Sequence, residues 1–162
     1  MTDARPVLVI ALAASVAVAV GALLFQYVGG LQPCELCLLE RWPYYAAIPV
    51  AAAGLVTGAP RAVWWVGLLA LIFLGSAGLA AYHVGVEQHW IAGPTACTGG
   101  ASGAKSAEEL MKFLSEQQPT RCDEVQWSLA GLSLAGWNLV ISLVLLAVTT
   151  VGAIRLRRVG AP

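Results

Sequence analysis

Cys34 and Cys37 stand three residues apart in Gln32-Pro33-Cys34-Glu35-Leu36-Cys37, at the mouth of an apolar run, and Arg41 follows four residues after the second thiol. A helix starting just after Pro33, a residue suited to a first turn, places Cys34, Cys37, Arg41, Tyr45 and Ile48 on one face, with Tyr44 at its edge. The thiols then sit at a helix N-terminus. Its partial positive charge, with the Arg41 guanidinium near, favours thiolate over thiol. A cysteine with a lowered pKa is a better leaving group in disulfide exchange, so the spacing suits a reactive disulfide.

Rival uses of the pair fit less well. Haem attachment needs a histidine directly after the second cysteine, where Leu38 stands. Structural zinc wants four ligands at metal spacing, and Cys97 and Cys122 are not a second close pair, so no metal is expected. A purely structural bridge closing four residues restrains little of the unfolded chain. Arg41 has a plain alternative as a side chain snorkelling to headgroups. Its position facing the thiols favours an electrostatic role.

Twenty-four residues lie between Cys97 and Cys122. A bridge there would stabilise by about 3 kcal/mol or slightly more through loop entropy, so a structural disulfide is one reading. Gly99, Gly100 and Gly103 favour another, a mobile and accessible segment. Ser106 and Glu109 form a capping box ahead of Leu110, Met111, Phe113 and Leu114, which predicts a short amphipathic helix on the membrane surface, ended by Gln118-Pro119. His83 and Glu87 are four apart, with His89 just beyond. Such residues are interfacial, or they bind a polar headgroup or carry protons.

The elements that must hold these groups follow from composition. The 162 residues are 59% hydrophobic and 11% charged, with mean hydropathy +0.76, whereas a soluble domain carries about 25% charged residues. Net charge is zero, so no basic excess points to nucleic acid. Four apolar runs, at about 6–28, 36–57, 62–86 and 129–154, predict four transmembrane helices in a single domain, with outer loops at 29–35 and 87–128. The first run is too long for a cleavable signal. Arg5, Arg61, Arg155, Arg157 and Arg158 share one side with Asp3 alone. Arg41, Lys105, Lys112 and Arg121 share the other with eight acids. Both termini are therefore expected inside and all four cysteines outside, which in a bacterium is the oxidising periplasm. Trp42, Tyr44, Tyr45, Tyr82, Trp90 and Trp127 form an outer aromatic belt, with Trp64 and Trp65 at the inner face. Gly75 to Gly78 is read as helix packing and Asn138 as interhelical glue.

With "PCELCLLER", "YHVGVEQHW", "GPTAC" and "CDEVQWSLAGLSLAGWNL" in this order, the chain resembles, over almost its full length, the DsbB family of membrane disulfide oxidoreductases. The resemblance implies a four-helix bundle in the bacterial inner membrane that reoxidises a periplasmic DsbA-like dithiol oxidase and passes the electrons to a membrane quinone, ubiquinone or menaquinone, and so to the respiratory chain. It implies redox-active disulfides Cys34–Cys37 and Cys97–Cys122. Cys97 would take the attack of the partner's thiolate, and Cys122 would hand electrons on through Cys34. Cys37 would face the quinone in a thiolate adduct or charge-transfer contact, and Arg41 would stabilise the developing negative charge. For a quinone-proximal histidine, His83 and His89 are both candidates. Two other readings stand beside this one. A quinone reductase like vitamin K epoxide reductase also uses a CxxC and loop cysteines, but the motif order and the Glu40-Arg41 pair favour DsbB. A small transporter or scaffold with structural disulfides would keep its function without Cys34 and Cys37.

Overall fold

The computed structural model describes residues 4–58, 61–94, 106–108, 111 and 120–160. Its helices are α1 (Arg5–Tyr27), α2 (Glu35–Leu39), α3 (Trp42–Thr57), α4 (Ala62–Glu87) and α5 (Leu134–Gly160), with a hairpin of β1 (Ser128–Leu129) and β2 (Leu132–Ser133) before α5. Three of them, α1, α4 and Leu134–Arg158 of α5, are long and apolar enough to cross a membrane. The second expected crossing is divided. Pro43 has no N–H to return to the Leu39 carbonyl, and its ring crowds that carbonyl. The helix from the cysteines therefore stops at Leu39, the Arg41 amide tightens onto Leu38 O, and α3 starts afresh with Pro43 in its first turn. The 16 residues of α3 span about 24 Å, less than the ~30 Å hydrocarbon layer.

This break overturns the single face expected from Cys34 to Ile48. Tyr44, read as an edge residue and as part of the aromatic belt, is buried in the bundle, while Tyr45 is exposed. Trp42 and Trp90 are exposed as a belt requires. The start of the fourth run also shifts. Ala130 and Gly131 both take positive φ, 53° and 81°, the turn that closes a two-residue hairpin. The first residues of that run are therefore strand and turn rather than helix, and Ser128 pairs with Ser133 across the turn. Ser133 Oγ accepts from the Gly136 amide at 3.0 Å and starts α5 there. At its other end α5 carries Arg157 and Arg158 in the last turn, where cations meet the negative end of the dipole.

The core is built by close approach of small residues. α4 lies along α5, α1 along α3, and α3 along α4. Ala11, Ala47, Ala51, Val66, Leu69 and Phe73 are each buried. A Cβ on Gly54 would come within 2.9 Å of Leu8 and 3.0 Å of Trp65, and one on Gly152 within 3.0 Å of Val7. Gly75 and Gly78, expected to be packing glycines, have nothing within 4 Å of such a Cβ. The close contacts that small residues permit are therefore made at Gly54 and Gly152. Of the expected surface helix, Ser106, Ala107, Glu108 and Met111 are described, all exposed. The rest of it lies outside the described residues.

Candidate functional site

Cys34 is the N-cap of α2. Its Sγ accepts from the Cys37 amide at 3.2 Å, and the two sulfurs lie 2.7 Å apart. Both are free thiols, in closer contact than separate sulfurs normally make and farther apart than the ~2.05 Å of a bond. The two sulfurs thus lie with the geometry of a bridge nearly in place. Cys34 stands in the connection between α1 and α2. The hydrogen bond from the Cys37 side chain pulls its pKa below that of an ordinary thiol, burial opposes this, and the Cys37 amide assists.

A histidine completes the group. His83, buried on the last turns of α4, points Nε2 at Cys34 Sγ from 3.7 Å. Its Nδ1 faces Glu40 Oε1 at 2.9 Å, and Asn138 Nδ2 donates to Glu40 Oε2, also at 2.9 Å. Asn138 Oδ1 accepts from Tyr44 Oη, which meets Ser142 Oγ, itself bonded to Ser76 Oγ. A chain of polar groups thus runs from the thiols into the bundle core, with each member partnered. The rule for polar groups in lipid requires this.

Arg41 is placed differently from expectation. As the N-cap residue of α3 it lies past the break, and Nη1 donates to Gln26 Oε1 of α1 at 2.7 Å. It does share with Cys34, Cys37, Glu40 and His83 the wall of a cavity of about 460 Å³, whose other sides include Phe25, Leu134 and Ile141. His89 is exposed beyond the end of α4, with φ 56°, so of the two candidate histidines His83 is the one at the thiols.

Cys122 is buried in one cluster with Cys34, Leu36 and Val86. It is disulfide-bonded. Cys97 lies outside the described residues. Trp127 stacks at a tilt on Phe25 of α1, 5.0 Å between centroids, and this holds the segment after Cys122 against the bundle. Three of the four candidate redox residues are therefore brought together from separate parts of the chain.

Sequence reasoning missed Glu40, Tyr44, Ser76 and Ser142. Glu40 was counted as an outer-side acid, yet it is buried. One signal for it exists: a carboxylate entering an apolar run needs partners, and His83 is the titratable residue inside another run. Asn138 is the interhelical link that the sequence suggested, with Tyr44 and Glu40 as its partners.

A model of the disulfide bond formation protein DsbB family matches residues 4–152. Among similar proteins, the "Disulfide bond formation protein B" of Acidovorax sp. (strain JS42) is 32% identical over 99% of this chain and 93% of its own length. Those of Verminephrobacter eiseniae and Herminiimonas arsenicoxydans are 33% and 31% identical, over 98% and 86% of this chain and 92% and 89% of their own.

Proposed function

The chain belongs to the DsbB family, and on that premise we propose that it oxidises a periplasmic DsbA-like dithiol protein and delivers the electrons to a membrane quinone. The observation that carries this reading is the clustering of Cys34, Cys37 and Cys122, with Cys34, Cys37 and His83 on the wall of a largely apolar cavity. Exchange moves two electrons only between sulfurs that touch, and burial of Cys122 with Cys34 supplies such a meeting point.

The steps balance. The partner's thiolate attacks Cys97 of a Cys97–Cys122 disulfide and releases Cys122. The partner's second thiolate then closes its own disulfide and releases Cys97. Cys122 attacks Cys34 of a Cys34–Cys37 disulfide, freeing Cys37; Cys97 attacks Cys122, re-forming the loop bridge and freeing Cys34. The partner is oxidised by two electrons, and Cys34 and Cys37 are left reduced. A quinone accepts those two electrons with two protons, and Cys34–Cys37 is oxidised again.

A cavity of about 460 Å³ falls in the range of small-ligand sites. Arg41 offers donors to a quinone oxygen, while Phe25, Leu134 and Ile141 suit an apolar ring. His83, oriented by Glu40, takes the proton of Cys34 and holds it at Nε2. The Cys37 thiol, the more exposed of the pair, faces the acceptor. The four-crossing topology belongs to the same reading: α2 and α3 together make the second crossing, both termini lie in the cytoplasm, and the cysteines lie in the periplasm.

Purified protein supplied with a reduced DsbA-like oxidase and ubiquinone or menaquinone should consume quinone absorbance in step with partner oxidation. Cys37→Ser should abolish quinone consumption and leave the Cys122 disulfide intact. Unchanged consumption in that variant overturns the reading, and the transporter or scaffold alternative then gains.

A further inference from the structure

We propose that reduced Cys34 and Cys37, together with His83, form a three-ligand site for a thiophilic d10 cation of the zinc class, and that occupancy of this site holds the pair in its dithiol state. The sequence spacing offered only two sulfurs for a metal. The fold supplies the third ligand from 49 positions away, bringing one donor atom from each of the three residues within 4.8 Å of one another.

The geometry suits a tetrahedral ion. With Zn–S near 2.3 Å and Zn–N near 2.05 Å, a tetrahedral angle sets a sulfur-to-nitrogen separation of about 3.6 Å. Cys34 Sγ and His83 Nε2 are 3.7 Å apart. The same bond lengths set a sulfur-to-sulfur separation of about 3.8 Å, so the present 2.7 Å must open by about 1 Å. Cys37, half-buried at the cavity wall, is the less buried of the two thiols and the one that would move.

The outer support for such an ion is also present. A metal-binding histidine characteristically gives its other ring nitrogen to a carboxylate, which fixes the tautomer and aims the free lone pair. Here Nδ1 meets Glu40 Oε1, and Asn138 holds the second carboxylate oxygen. The cavity leaves the fourth position open to water. Binding is balanced by loss of the two thiol protons to solvent and involves no electron transfer. The disulfide form has no thiolates to offer, so metal and bridge exclude each other. This proposal rests on the dithiol and His83, independent of which partner or quinone the protein uses.

The test uses the full chain in lipid nanodiscs with Cys97→Ser and Cys122→Ser, which removes the loop sulfurs, reduced by a phosphine. Titration with Co(II) should give one ion per chain, thiolate-to-cobalt charge transfer and the intense visible bands of tetrahedral coordination, all bleached by Zn(II). His83→Gln should weaken Zn(II) binding at least about 10-fold and alter the visible bands. Glu40→Gln should weaken it about 10–100-fold. The same protein oxidised to the Cys34–Cys37 disulfide keeps every residue in place and should bind none. Bound Zn(II) should slow oxidation of the pair by a small-molecule disulfide in proportion to the fraction occupied. Full-strength binding in His83→Gln, weak octahedral bands, or equal binding by the oxidised protein overturns the site. An unchanged oxidation rate at full occupancy overturns the locking.

Discussion

A carboxylate at the edge of a membrane persists only when its oxygens are occupied by donors, and Glu40 has His83 on one oxygen and Asn138 on the other. His83 turns Nδ1 to that carboxylate and Nε2 to Cys34. Glu40→Gln retains the shape but turns one of those acceptors into a donor, so either His83 or Asn138 loses its partner. Quinone consumption driven by a reduced dithiol should fall about 100-fold, while helix content by circular dichroism stays at the wild-type level. An equal loss of helix content would make Glu40 a folding residue instead. Cys34 carries a second prediction. Its pKa lies below the ordinary thiol value, chiefly through the hydrogen bond from Cys37. The thiolate of the reduced protein therefore survives as pH falls through the ordinary thiol range. The stability it contributes is present above the unfolded-state pKa and lost as pH drops through the folded one. Thiolate absorbance of the reduced Cys97→Ser, Cys122→Ser protein should show a first midpoint below the usual value of about 8.5; a first midpoint above it contradicts the assignment.

Among the helices, Gly54 marks where three of them meet. A methyl group there would press on Leu8 of α1 at 2.9 Å and on Trp65 of α4 at 3.0 Å. Gly54→Ala should lower stability by about 1–3 kcal/mol, read as a drop in the thermal midpoint in detergent, whereas Gly75→Ala, with open space around its Cβ, should leave the midpoint unchanged or higher. The difference between these two glycines could not be read from the sequence, because both sit in apolar runs among alanines. What could be read was imposed by lipid: three uninterrupted apolar runs became α1, α4 and α5 because backbone groups in hydrocarbon must bond within their own helix. The break between α2 and α3 was hidden because Pro43 is equally acceptable as the first turn of a new helix and as a residue near a continuous one. That ambiguity cost the site its true shape. Once the chain breaks at Glu40-Arg41, Glu40 and Tyr44 turn inward and Arg41 reaches Gln26. The meeting of Cys34 with Cys37 was legible, since their spacing is local. The His83–Glu40 contact, between residues 43 positions apart, follows only from packing of α4 beside the break.

On the scale of the whole molecule, the polar site and the arginine-rich ends occupy opposite ends of the helices. Arg155, Arg157 and Arg158 stand in the last turns of α5, while Ser133, at its start, bonds to Glu87 on the wall of the site cavity. Arg5 opens α1, and Gln26, near the other end of that helix, bonds to Arg41. Both long helices therefore point their basic ends away from the thiols. On the proposed orientation, basic residues are retained on the cytoplasmic side during insertion, and Cys34 and Cys37 would face the periplasm, where disulfides persist. Moving a thiol to the arginine end tests this directly. In intact cells expressing the protein with Val159→Cys and all four native cysteines changed to serine, a membrane-impermeant maleimide should label only after the inner membrane is opened. A companion protein retaining Cys34 alone should label, after mild denaturation of its buried site, from the periplasm with the inner membrane closed. Labelling of Val159→Cys in intact cells would reverse the orientation, and with it the access of a periplasmic dithiol protein to the thiol pair.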